Sequence, residues 1–86
     1  MKYVLKKLEN QNVIYLKNDL GVNYIKADIN VNLIGARKGK TPRREDQEQK
    51  YYVLIIDNNN FETWLEVENL KIGEEIAHQL TMMLFK

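Results

Sequence analysis

The 86-residue chain has no cysteine, one proline, four glycines and a single histidine. Without cysteine there is no disulfide staple and no thiolate metal site, which fits a reducing, cytoplasmic setting. His78 has no second imidazole or thiol to join it as a ligand set or an acid–base couple. No glycine-rich phosphate loop, G-x-S-x-G or H-E-x-x-H pattern occurs. No apolar run approaches the ~18 residues that suggest a membrane span. Residues 1–7 lack the apolar stretch of a secretory signal. These absences together point away from an enzyme, a cofactor, a resident metal or a membrane partner.

Size sets the next bound. A chain this short forms one small domain spanning 1–86, burying roughly 60–65% of its unfolded surface around one modest core. Apolar residues make up 44% and charged residues 29%, ordinary values for a folded protein. Residues with AT-rich codons (Phe, Tyr, Met, Ile, Asn, Lys) number 38, against 11 for Gly, Ala, Arg and Pro. That bias suggests a low-GC bacterium or one of its phages. The net charge of +1 hides an asymmetry. Residues 1–44 hold ten Lys/Arg and three Asp/Glu, or +7, while residues 45–86 hold three and nine, or −6. Such a split marks either a charged partner or two halves that neutralise each other across the fold, and the second reading is preferred.

Hydrophobic periodicity predicts an α+β domain. Between residues 23 and 34, Ile25, Ala27, Ile29, Val31 and Leu33 alternate with Lys26, Asp28, Asn30 and Asn32, the mark of a half-buried strand. Shorter strands are expected at about 2–8 and 12–17, followed by turn chemistry at Asn18-Asp19-Leu20-Gly21. The continuous apolar run Tyr51–Ile56 predicts a central strand over about 50–57, buried on both faces. Residues 57–60 read as a turn, and about 61–67 as the antiparallel partner strand, with Phe61, Thr63, Leu65 and Val67 on one face. Ile72, Ile76, Leu80, Met83 and Leu84 recur at helical spacing and predict a C-terminal helix over about 70–85, capped by Asn69 or Gly73. The expected architecture is one antiparallel sheet of about five strands closed by one helix. One helix covers one face, so the central strand needs a second layer: the N-terminal hairpin or another chain.

The densest functional signal is Arg37-Lys38-Gly39-Lys40-Thr41-Pro42-Arg43-Arg44, five cations in eight residues. It sits in a polar connection expected over 35–49, and structureless connections of about 15 residues are uncommon in compact domains. Arg37, Lys38, Lys40, Arg43 and Arg44 are therefore candidate contacts to nucleic-acid phosphates. Glu45, Asp46 and Glu48 follow directly and compete for the same cations. A second candidate is a protein interface made of Trp64 with Glu62 and Glu66, joined by Met82 and Phe85, which fall off the helix's core stripe. Asp57, Asn59 and Glu68 imitate calcium-loop spacing, but Glu62 stands where that loop requires glycine. Tyrosines lie beside lysines at Tyr3/Lys2, Tyr15/Lys17 and Tyr24/Lys26; base stacking is one use for such pairs. Tyrosine is also a common strand former, and that reading is preferred here.

Two functions follow. The leading expectation is a small non-enzymatic protein that contacts nucleic acid through the basic loop 37–44. The alternative is a protein-binding inhibitor or adaptor, of phage or mobile-element type, that occludes a partner. A homodimer, with Trp64 and Phe85 at its contact, is expected as a way to cover the central strand. In element order alone, strands followed by a helix, the chain resembles the whirly-type single-stranded-DNA binders, and element order does not carry function.

Overall fold

A computed structural model of the chain describes residues 3–40 and 49–85. Those residues form six strands, one α-helix and a short 3-10 turn at Glu9–Gln11: β1 (Tyr3–Leu8), β2 (Val13–Asn18), β3 (Gly21–Lys26), β4 (Val31–Lys40), β5 (Gln49–Asp57), β6 (Glu62–Val67) and α1 (Leu70–Leu84). The class is α+β. The strands form two antiparallel three-stranded sheets, β1-β2-β3 and β4-β5-β6, where the sequence predicts one sheet of about five strands.

The difference arises in the long alternating segment. Ile25 is buried, and Ala27, Ile29 and Val31 all pack on the core, so the alternation does mark a core-facing side. Yet pairing stops after Lys26, and the Ala27 N–H donates to the Asn12 carbonyl at 3.0 Å as the chain leaves the first sheet. A bulge between Val31 and Leu33 then sets the register of β4, and Ile34 takes the inward position. Period-two patterning reports which side is apolar and carries no information about which strand is the neighbour. The expected 35–49 loop also shortens. Residues 35–40 continue β4, pairing as far as Lys40 opposite Gln49.

The β2–β3 turn uses the chemistry that the sequence offers. Gly21 has φ 139°, a conformation that disfavours any other residue. Asn18 is buried, and its Oδ1 accepts from the Leu20 N–H at 2.8 Å. Its Nδ2 donates to the Glu66 carbonyl at 3.1 Å, so one side chain closes the turn and ties the first sheet to β6. In the β5–β6 turn, Asp57 Oδ1 accepts from the N–H groups of Asn59 (2.8 Å) and Phe61 (2.9 Å). Asn60 supplies the left-handed residue at φ 64°.

Of the two helix starts expected, the cap is Asn69, whose Oδ1 accepts from the Ile72 N–H at 2.9 Å. Glu74 and Glu75 consequently lie beyond the first turn, where the dipole effect has largely decayed. Ile72, Gly73, Ile76, Ala77 and Leu80 are buried. Gly73 is needed for close approach: a Cβ there would lie 3.2 Å from Val67 Cγ2 and 3.3 Å from Ala36 Cβ.

β5 is the central strand of its sheet, as its sequence predicts. Val53 and Ile55 on its inner face join Leu65 and Val67 of β6, the helix residues Ile72, Ile76 and Leu80, and Ile14, Leu16 and Ile25 of the first sheet in one core. The second layer over this face is therefore the N-terminal sheet together with the helix. Leu54 on the other face is also buried, opposite Gly35 and Trp64 in the register.

Two tests follow from these ties. Asn18→Ala strands the turn N–H and the Glu66 carbonyl, and is expected to cost about 1–3 kcal/mol in urea unfolding. Asn18→Asp at neutral pH is expected to cost at least as much, because it aims an acceptor at a carbonyl. Tyr3 links β1 to the helix: its hydroxyl accepts from Gln79 Nε2 at 2.8 Å and donates to Glu75 Oε1 at 3.4 Å. Partial burial and the nearby Glu75 carboxylate raise its pKa above 10.0, with Gln79 opposing. The folded state thus holds this proton more tightly than the unfolded chain. Its stabilisation is fully present below pH 10.0 and is lost as pH rises through the higher folded value. Alkaline melting curves of Tyr3→Phe should therefore decline less steeply above that pH than those of the parent protein.

Candidate functional site

The outer face of the first sheet forms a three-by-three grid fixed by strand register. One row is Val4, Lys17 and Val22; the next is Lys6, Tyr15 and Tyr24; the third is Leu8, Val13 and Lys26. Three lysines and two tyrosines thus share a surface that contains no carboxylate among the described residues. The acids of this half, Glu9, Asp19 and Asp28, all fall in the connections between strands. The aromatic groups interlock. The Tyr15 and Tyr24 rings meet edge to face at 5.6 Å and 63°, and Lys6 Nζ lies 5.8 Å from the Tyr15 ring centroid. Tyr24 is 62% exposed, with its ring open to a partner. Beside it, between β3 and the β5–β6 turn, opens a cleft of about 340 Å³ bordered by Tyr24, Lys26, Asp57 and Phe61.

The sequence reading pairs Tyr15 with Lys17 and Tyr24 with Lys26 but treats the tyrosines as strand formers. The missed signal is the i, i+2 spacing, which places each pair on one strand face. The hairpin register then lays the two pairs and Lys6 side by side.

The described part of the basic segment is not gathered in the same way. Arg37 and Lys38 are consecutive strand residues and point to opposite faces of the second sheet. The Arg37 guanidinium folds back over Gly35, and its Nη1 donates to the Ala36 carbonyl at 2.9 Å. Lys38 is exposed, and Lys40 ends β4. Arg43 and Arg44 lie outside the described residues.

The outer face of the second sheet carries part of the expected protein interface. Trp64 packs edge to face on Tyr52 at 5.4 Å, beside Leu54, and its Nε1 donates to Glu62 Oε1 at 3.1 Å. Lys50 Nζ bridges Glu66 Oε2 at 3.4 Å. Glu62, Trp64 and Glu66 therefore share one surface. Met82 and Phe85, both exposed, sit on or next to the helix, which packs against the opposite face of that sheet. Nearby, both carboxylate oxygens of Glu68 are buried without a hydrogen-bond partner among the described residues.

The charge split has a structural consequence. Among the described residues, the ion pair Lys50–Glu66 lies within 45–86, and none joins that acidic part to the basic one. The lysines of the first sheet keep their charge available. His78 is exposed on the helix. Asp57, whose spacing only imitates a calcium loop, serves the β5–β6 turn through Oδ1. No family model, curated protein or solved structure matches the chain, so the functional reading rests on this geometry.

Because the tyrosine pair is peripheral to the core, its removal should leave the protein folded. Tyr24→Ala is expected to cost about 1 kcal/mol, the worth of one aromatic pair. Ile55→Ala, in the core, should cost about 2–5 kcal/mol. Denaturant unfolding of the two variants beside the parent gives both numbers.

Proposed function

We propose that the protein is a non-enzymatic binder of single-stranded nucleic acid and that the outer face of the first sheet is its contact surface. The observation that carries this reading is the carboxylate-free grid of Lys6, Lys17 and Lys26 around Tyr15 and Tyr24. Lysine neutralises phosphate without reference to sequence, and an exposed aromatic ring offers a stacking surface for any unpaired base. An exposed sheet face with both features suits a strand whose bases are splayed out. It suits a duplex poorly, because stacked bases hide their faces. The segment 37–44 is a second proposed source of cations, with Arg37, Lys38, Lys40, Arg43 and Arg44 as supplementary phosphate contacts; Arg37 and Lys38 belong to the second sheet.

Fluorescence anisotropy with labelled single- and double-stranded DNA and RNA tests the reading. Single strands should bind more tightly than duplexes. Three lysine contacts imply a log–log salt slope of about −2 between roughly 50 and 200 mM salt, steeper if the 37–44 segment engages as well. Tyr24→Ala should weaken single-strand binding about tenfold, since one stacked base contributes about 1–3 kcal/mol. Absence of binding to all four nucleic acids at the lower salt would overturn the proposal.

A second reading, protein docking on the outer face of the second sheet, is favoured by one observation. Trp64 is 46% exposed there, seated on Tyr52 beside Leu54 and flanked by Glu62 and Glu66. A second copy of the chain or an inhibited partner would cover it. Sedimentation that shows only monomer at high concentration removes the homodimer, and Trp64→Ala should weaken any complex that does form.

A further inference from the structure

We infer that the cleft beside the first sheet receives one unpaired base of the bound strand and favours bases bearing an exocyclic amine. The inference rests on the proposed function and adds a base preference to it. Position comes first: Tyr24 and Lys26 belong both to the lysine–tyrosine grid and to the wall of the cleft, so a strand crossing the grid reaches the cleft without a break.

Size and lining agree. At about 340 Å³ the cleft is at the small end of the range of roughly 300–1,000 Å³ typical of small-ligand sites, enough for a ring system. Ile25 and Ile55 supply an apolar floor, both nearly inaccessible to water. Tyr24 and Phe61 stand at the rim, 62% and 68% exposed, more than any other aromatic among the described residues. Exposed rings beside an apolar floor suit a flat, partly polar guest.

Asp57 sets the preference. Its Oδ1 is occupied by the backbone N–H groups of Asn59 and Phe61, which fixes the carboxylate at the cleft wall. Oδ2 is then the remaining acceptor, and an ionised carboxylate accepts hydrogen bonds without donating any. A base with an exocyclic amine, such as cytosine through N4, presents the matching donor. Thymine and uracil carry a carbonyl oxygen at that position, which a carboxylate repels. Lys26, shared by the grid and the cleft wall, supplies the phosphate contact in this arrangement.

The experiment compares oligo-dC with oligo-dT of equal length, and the corresponding oligo-C and oligo-U RNAs, in the anisotropy assay. These matched pyrimidines differ chiefly in the amine and carbonyl at one ring position. The parent protein should bind the cytosine strands about five- to tenfold more tightly. Asp57→Asn retains an oxygen for the turn and places an amide donor where Oδ2 stood. It should abolish or reverse that preference while circular dichroism shows the fold intact. Should Asp57→Asn fail to fold, Phe61→Ala at its exposed position replaces it and should shrink the preference. Equal affinity for cytosine and thymine strands, or an unchanged preference in both variants, overturns the inference. If Lys17→Glu and Lys26→Glu still depress binding of every strand in that case, the function proposed for the grid stands. No binding of any oligonucleotide overturns both.

Discussion

The inner face of the second sheet has to be buried by two elements at once, and the remaining architecture depends on that requirement. Three strands of up to ten residues present a surface of roughly 14 by 33 Å. A 15-residue helix covers a band about 10 Å wide and 22 Å long. The helix therefore leaves apolar area around Val53, Ile55 and Leu65 that water would otherwise reach. The N-terminal strands close the gap with Ile14, Leu16 and Ile25. Asn18 holds them there through the Glu66 carbonyl, and Tyr3 reaches the helix through Gln79. A chain of 86 residues has little else to spend on a core, which explains why one cluster joins both sheets and the helix.

That same requirement exposes two surfaces of different character. The first sheet faces the core with one side and water with the other, so its solvent side is free to be chemically specialised. On it stand lysines and tyrosines alone among the polar residues, and the acids of that half are confined to turns. The second sheet turns its outer side to water as well, with Tyr52, Leu54 and Trp64 partly shielding one another. Its charged residues are engaged close by: Lys50 with Glu66, Glu62 with Trp64, and Arg37, in one row with Tyr52 and Glu66, with the Ala36 carbonyl. The first surface is electrostatically open and the second is largely self-satisfied. This contrast favours the first as the place where a polyanion is received.

The cleft lies where the two sheets part. The chain leaves β3 at Lys26 and enters β4 at Val31, and the β5–β6 turn sits against that passage through the Asn58 N–H to Asn30 carbonyl bond at 2.9 Å. The crossover therefore creates a recess walled by the first sheet on one side and by Asp57 and Phe61 on the other. Its position beside Tyr24 is a by-product of how the sheets are joined.

The sequence by itself determined the class, the central place of the Tyr51–Ile56 run, the helix with its buried stripe, and the turns at residues 18–21 and 57–60. Each of these is local: apolar period, side-chain caps and left-handed residues act within a few positions of each other. Tertiary structure alone decided that residues 23–34 divide between two sheets, because Ile25 and Val31 face the same core whichever strand they pair with. It also decided that residues 35–40 belong to a strand, since a polar stretch can pair wherever a partner lies within hydrogen-bonding reach. Lys6, Lys17, Lys26, Tyr15 and Tyr24 are spread over 21 positions of sequence. Their pairs at Tyr15/Lys17 and Tyr24/Lys26 are visible in the chain, but their assembly into one carboxylate-free surface comes from antiparallel register, a relation between strands that no local pattern encodes.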